Sequence, residues 1–150
     1  MIEPTKKNKF RVTLIVLGSV AVVLALLIIF LIKPSSCNKA TSLSEVAFAS
    51  AVDEATRKPV STSSEFKSDQ EKIYLTLKIE NAKTEVKVVV KWLFVTSNFP
   101  LGEKEITASG SRYLDFYIGK PNGGWPIGTY RADVYLGGVL VNSGEFKIIK

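Results

Sequence analysis

Between Val12 and Ile32 the chain runs for 21 residues without a charge, VTLIVLGSVAVVLALLIIFLI. That stretch constrains the fold more than any other feature. Coiled as an α-helix at about 1.5 Å per residue it would reach roughly 30 Å, the thickness of a bilayer's hydrocarbon core. The sequence therefore predicts one N-terminal transmembrane helix over 12–32. A secretory signal is the competing reading. Its apolar region typically spans about 7–15 residues and ends at small residues suited to cleavage. This run is longer and ends in Leu31-Ile32-Lys33-Pro34, which favours a retained signal-anchor.

The flanking charges give a direction. Lys6, Lys7, Lys9 and Arg11 precede the run, and Lys33 and Lys39 follow it. Basic flanks stay on the cytoplasmic side, so residues 1–11 are expected inside and residues 34–150 outside, in a single-pass protein of the cell membrane. Of the formal net charge of +6, the first 33 residues hold +4. The remainder is close to balanced, which argues against a nucleic-acid partner, since that needs a concentrated basic stripe. Gly18, Ala21 and Ala25 share one helical face, where small residues let a second helix approach closely.

The chain has no histidine and one cysteine, Cys37. An intrachain disulfide is impossible, zinc or copper sites built on His and Cys are excluded, and Ser-His-Asp or Cys-His catalysis lacks its base. No paired carboxylates stand out, so neither an enzyme nor a cofactor is expected. Pro34-Ser35-Ser36-Cys37 matches a bacterial lipoprotein box at its last three positions, which marks Cys37 for possible lipidation. Lys33 and Pro34 break that pattern, and an unpaired thiol beside the membrane is the plainer reading.

Residues 33–44, which contain Pro, Ser, Asn, Thr and Lys with little apolar content, read as a flexible linker. From Glu45 the period changes to two. Ile73, Leu75, Leu77 and Ile79 alternate with Tyr74, Thr76 and Lys78. Val86, Val88, Val90, Trp92 and Phe94 follow the same rule, as do Leu114, Phe116 and Ile118, and Tyr130, Ala132, Val134 and Leu136. Each is a half-buried strand. Gly137-Gly138 supplies a hairpin turn before a last strand that buries Phe146 and Ile148. Weaker strand signals lie at 46–52 and 105–108, and turn signals at 57–59, 80–84, 98–102 and 120–124. About seven short strands over residues 45–150 predict an all-β, immunoglobulin-like sandwich.

Trp125-Pro126-Ile127-Gly128-Thr129-Tyr130, running into Arg131–Val141, resembles the final hairpin of a group of bacterial extracytoplasmic immunoglobulin-like domains. These share a W-P-x-G-x-Y approach to the penultimate strand. Gly137 stands where that group usually has aspartate or asparagine. The resemblance covers about residues 45–150. It implies structural roles for Trp125, Pro126, Gly128 and Tyr130 and a buried core position for Trp92. The hydroxyl of Tyr130 is expected to bond back to the backbone just before it, as in a tyrosine corner.

Three places are candidates for binding. In the turn Ser97–Gly102, Phe99 and Leu101 either form a partner-binding tip or fold over the core's end, and packing is the favoured reading. Trp125 offers a stacking platform for a glycan, against which stands its structural role. A wet face gathers Lys87, Lys91, Arg131 and Tyr135, with Asp133 and Glu145 near, suited to an anionic surface polymer or to no ligand at all. The functional expectation is a membrane-anchored binding or scaffold module contacting another envelope or membrane protein or a polymer. The alternative is a structural subunit of a larger, filament-like surface assembly.

Overall fold

The computed structural model describes residues 39–150. The expected membrane span, the basic tail, the small-residue face and Cys37 all lie outside the described residues.

The period-two pattern becomes seven strands. These are β1 (Ser42–Leu43), β2 (Ala47–Ala49), β3 (Glu65–Lys67), β4 (Lys72–Phe94), β5 (Phe99–Gly119), β6 (Gly128–Leu136) and β7 (Val139–Ile149). A single 3-10 turn, Val95–Ser97, joins β4 to β5, with Asn98 in the left-handed region at φ 53°. β4 and β5 are 23 and 21 residues long and dominate the molecule. One half of β4 lies between β2 and β5, with Leu75 flanked by Phe48 and Phe116. The other half lies between β5 and β6, with Val90 flanked by Lys104 and Val134.

The sequence's turn signal at 80–84 is a bend inside β4. Between Ile79 and Ala82 the strand advances three residues while β5 advances two, and between Ala82 and Val86 four against two. The first extra residue reverses which side faces inward. Ile73, Leu75, Leu77 and Ile79 are buried at odd positions before it, and Ala82, Val88, Val90 and Trp92 at even positions after it. Bulges of this kind bend a strand and increase its twist. The backbone groups they free are taken up locally. Asn81, at φ 57°, donates its N–H to Ser111 Oγ at 3.0 Å and accepts from Thr41 Oγ1 at 3.2 Å.

The immunoglobulin-like sandwich is therefore corrected. Because β4 and β5 both run through the bend instead of ending at it, the strands form one curled seven-stranded sheet, a half-barrel, and not two separate sheets. The all-β content stands, but the helix-plus-sandwich architecture does not. Among the described residues there is no α-helix, and none long and apolar enough to cross a membrane. From Lys39 onward apolar residues come in alternation, which serves strands and not a spanning helix. The membrane and signal-anchor description accordingly has no support in the structure.

The curl is fastened by residues 61–67. Thr62 bridges to Ala49, Ser63 N–H donates to Phe48 O at 3.0 Å, and Lys147 N–H donates to Ser64 O at 2.8 Å. β3 then pairs parallel with β7. Inside, the ring of Phe146 is the hub. Its centroid lies 4.9 Å from Phe48, 5.1 Å from Tyr130, 5.7 Å from Phe66 and 6.4 Å from Trp92. Gly144 makes room for this cluster, since a Cβ there would stand 2.9 Å from the Phe48 ring.

Truncating the hub leaves a cavity that strands on both sides of the curl would have to fill. F146A is expected to cost about 3–5 kcal/mol in urea unfolding, whereas F99A, at an exposed position, should change stability by less than about 0.5 kcal/mol.

Candidate interaction surface

The β6–β7 hairpin turns at Gly137 (φ 57°) and Gly138 (φ 88°), the pair of positive angles a two-residue turn of this hand requires. The turn is braced by Gly137 N–H donating to Lys87 O at 2.9 Å. Immediately after it, Val139, Leu140 and Val141 are 64%, 53% and 46% exposed. Regular alternation would turn one of three consecutive residues inward. Here Val134 pairs with Asn142 and Tyr135 with Leu140, so Val141 is the extra residue of a bulge, while Leu140 shares the face of Tyr135 and Val139 that of Leu136 beside the turn. The patch is anchored on its flank by Asn142. Its Nδ2 donates to Ser44 O at 3.0 Å, and its Oδ1 accepts from Ser143 N–H at 2.8 Å.

The outer face beside this tip brings together Lys87, Lys91, Arg131 and Tyr135 on neighbouring strands. Each cation has an acidic partner. Lys87 Nζ lies 2.9 Å from Glu105, Lys91 Nζ 3.7 Å from Glu103 and Arg131 Nε 3.2 Å from Asp133. Asp133 also accepts from Ser143 Oγ at 2.7 Å, and Lys91 lies over the Tyr135 ring at 5.1 Å. The face is thus a lattice of alternating charge. Exposed pairs of this type add little stability, and they cancel the field an anionic polymer would need.

The other candidates separate in space. Phe99 is exposed at the start of β5, while Leu101 packs against the core as the extra residue between Pro100 and Gly102. Trp125 is buried, with Nε1 donating to Gln70 O at 2.5 Å and its ring edge-on to Tyr130, so it presents no open platform. Tyr130 donates its hydroxyl to Pro126 O at 2.7 Å and stacks on Phe146. Gly128 is required between them, because a Cβ there would stand 2.5 Å from Thr96 Oγ1 and 2.8 Å from the Phe94 ring. Trp92 is buried against Phe48 and Phe146, and its indole N–H meets no acceptor among the described residues. Among the described residues no three His, Cys, Asp or Glu side chains are placed to hold a metal ion.

No family model matches the chain, and no curated protein matches it. Among solved structures it is similar to the Pseudomonas fluorescens alkylpurine DNA glycosylase AlkC bound to DNA containing an abasic site analog, at 13% identity and a TM-score of 0.46. The match covers 73% of this chain, which spans 30% of that one. A likeness of that size carries no argument about activity. The exclusion of nucleic acid is withdrawn on its own ground: a near-balanced net charge over residues 34–150 does not exclude a local basic surface. The expected lipid contact through residues 12–32 lies outside the described residues.

Burial pushes the Tyr130 phenol up to about 12 from an ordinary 10. The folded state therefore resists ionisation that the unfolded chain undergoes near pH 10. The stabilisation is whole below pH 10 and lost as pH rises toward 12. Urea unfolding of Y130F is expected to show a correspondingly smaller loss between pH 9.5 and 12 than the parent.

Proposed function

We propose that residues 39–150 form a binding or scaffold module without catalytic activity, and that the apolar tip Val139-Leu140-Val141 is where a partner protein docks. The observation that carries this reading is three consecutive exposed apolar residues on a braced hairpin. Runs of that kind are unfavourable on a water-facing surface, and contiguous exposed apolar groups mark interaction sites. Tyr135, paired with Leu140, adds an aromatic neighbour of the type enriched in interfaces.

The neighbouring charge lattice suits the rim of such a contact. Its paired cations and anions set orientation and contribute little affinity. A location outside the cytoplasm is part of the proposal and rests on the charge pattern of residues 1–33 alone. Protection of the chain from added protease in intact cells would count against that location.

The full chain used as bait is expected to recover a specific partner protein. The triple substitution V139S, L140S and V141S should reduce recovery at least about tenfold, since a few central anchors dominate an interface. Its unfolding midpoint should stay near the parent's, because exposed substitutions rarely exceed about 0.5 kcal/mol. Equal recovery by the folded triple variant would sink the tip as the docking site. Concentration-dependent self-association with no partner recovered would favour the structural-subunit reading instead.

A further inference from the structure

β5 has an open side. Among the described residues it pairs with β4 alone, and no other backbone group bonds to its residues 103–109. The direction of the bonds in that stretch follows from its neighbours. Gly137 N–H donates to Lys87 O, so Lys87 faces β6, and Val88 turns its own N–H and C=O toward β5. Val88 pairs with Ile106. Lys104, Ile106 and Ala108 therefore direct their backbone groups at β4, while Glu103, Glu105, Thr107 and Ser109 point theirs at the open side. The bond from Arg112 Nη2 to Thr107 O, at 3.3 Å, fits this assignment.

The stretch is regular. Its ladder with β4 keeps one register from Val86 with Ala108 to Trp92 with Gly102, and Gly102 (φ 115°) and Gly110 (φ 76°) bound it. An edge of this kind is a template for a further strand. Side chains decide which strand it accepts. On the inward face Lys104, Ile106 and Ala108 lie beside Val90, Val88 and Val86. Lys104 is exposed, and Ile106 is half-buried against the core. On the outward face Glu103 and Glu105 are already paired with Lys91 and Lys87. Lys104 and Arg112 form no ion pair among the described residues. Arg112 lies beside buried Ile79, so both unpaired cations belong to the inward face. A second copy of β5 does not suit this edge. Antiparallel pairing through the free groups sets even residues opposite even and odd opposite odd, so Lys104 meets neither Glu103 nor Glu105.

We propose that residues 103–109 take up an extended segment of a partner protein as an added antiparallel strand, with carboxylates at its inward positions opposite Lys104 and Ala108 and an apolar side chain between them. The first carboxylate meets the Lys104 ammonium. The second meets the guanidinium of Arg112, which the bond to Thr107 O holds at that level of the edge. The apolar side chain lies against Ile106 and continues the margin of the core. Backbone bonds supply the affinity of such an added strand, and its alternate side chains supply the choice of partner. The site is independent of the hairpin tip, since β5 builds it and β7 carries the tip.

Amide hydrogen exchange of the full chain tests this with two blocked heptapeptides, Thr-Glu-Thr-Val-Thr-Glu-Thr and Thr-Lys-Thr-Val-Thr-Lys-Thr. In millimolar excess the glutamate peptide is expected to slow exchange at the amides of Glu105 and Thr107, and to leave those of Lys104 and Ile106, already bonded to β4, unchanged. The lysine peptide should bind about fivefold more weakly, from the two exposed charge pairs it lacks. The combined charge reversal K104E and R112E should invert that preference, a gain that misfolding cannot produce. Unchanged exchange at Glu105 and Thr107 with the glutamate peptide overturns the proposal. So does equal protection by both peptides, or a preference that survives the charge reversal. Protection that grows with protein concentration when no peptide is present would overturn it as well, by making a second copy the occupant.

Discussion

Between Ile79 and Val86 the strand β4 takes on residues that β5 does not match, and the sheet turns there without dividing. Most of what the molecule does structurally follows from that bend. Because the first bulge reverses the inward parity, both halves of β4 point their apolar side chains at one interior. The aromatic rings of Phe48, Phe66, Trp92, Tyr130 and Phe146 can then pack as one cluster, which two independent sheets would have had to assemble from separate faces. With no disulfide to restrain the unfolded chain, this burial supplies the main favourable term.

The same constraint positions the surfaces. β6 is held against the half of β4 after the bend and β7 against β6, and Gly137 N–H on Lys87 O braces the hairpin that presents the apolar tip. A preorganised tip loses little freedom on binding. On the other half of the sheet the loop over residues 51–60 folds back toward β5, bringing Arg57 to 3.7 Å from Asp115.

Much of the strand pattern was legible in the sequence because burial on one face imposes a period of two. Ile73 to Ile79, Val88 to Trp92 and Tyr130 to Leu136 all announced their inward residues correctly. The bend was not legible. Glu80 to Thr84 carries turn-forming residues, and nothing local distinguishes a bulge within a strand from a loop between two strands. That ambiguity turned one curled sheet into an expected sandwich. β3 was missed because three residues are too few to show alternation, and its parallel pairing with β7 depends on distant contacts. Among candidate sites, Lys87, Lys91, Arg131 and Tyr135 lie on neighbouring strands, and the acidic partners Glu103 and Glu105 come from a strand whose register is set by distant contacts that local sequence does not carry. The hairpin tip had a visible signal that went unused. Three apolar residues directly after Gly137-Gly138 cannot all face inward from an alternating strand.

The central claim is that the two halves of β4 belong to one cooperative sheet around one core. Native-state amide hydrogen exchange measures this residue by residue. The account expects the amides of Leu75 and Leu77, on one side of the bend, and of Val88 and Val90, on the other, to exchange with the same opening free energy, equal to that of global unfolding. An opening free energy lower on one side by more than about 1 kcal/mol would mean that the halves unfold independently, and would contradict a single curled sheet as the unit of stability.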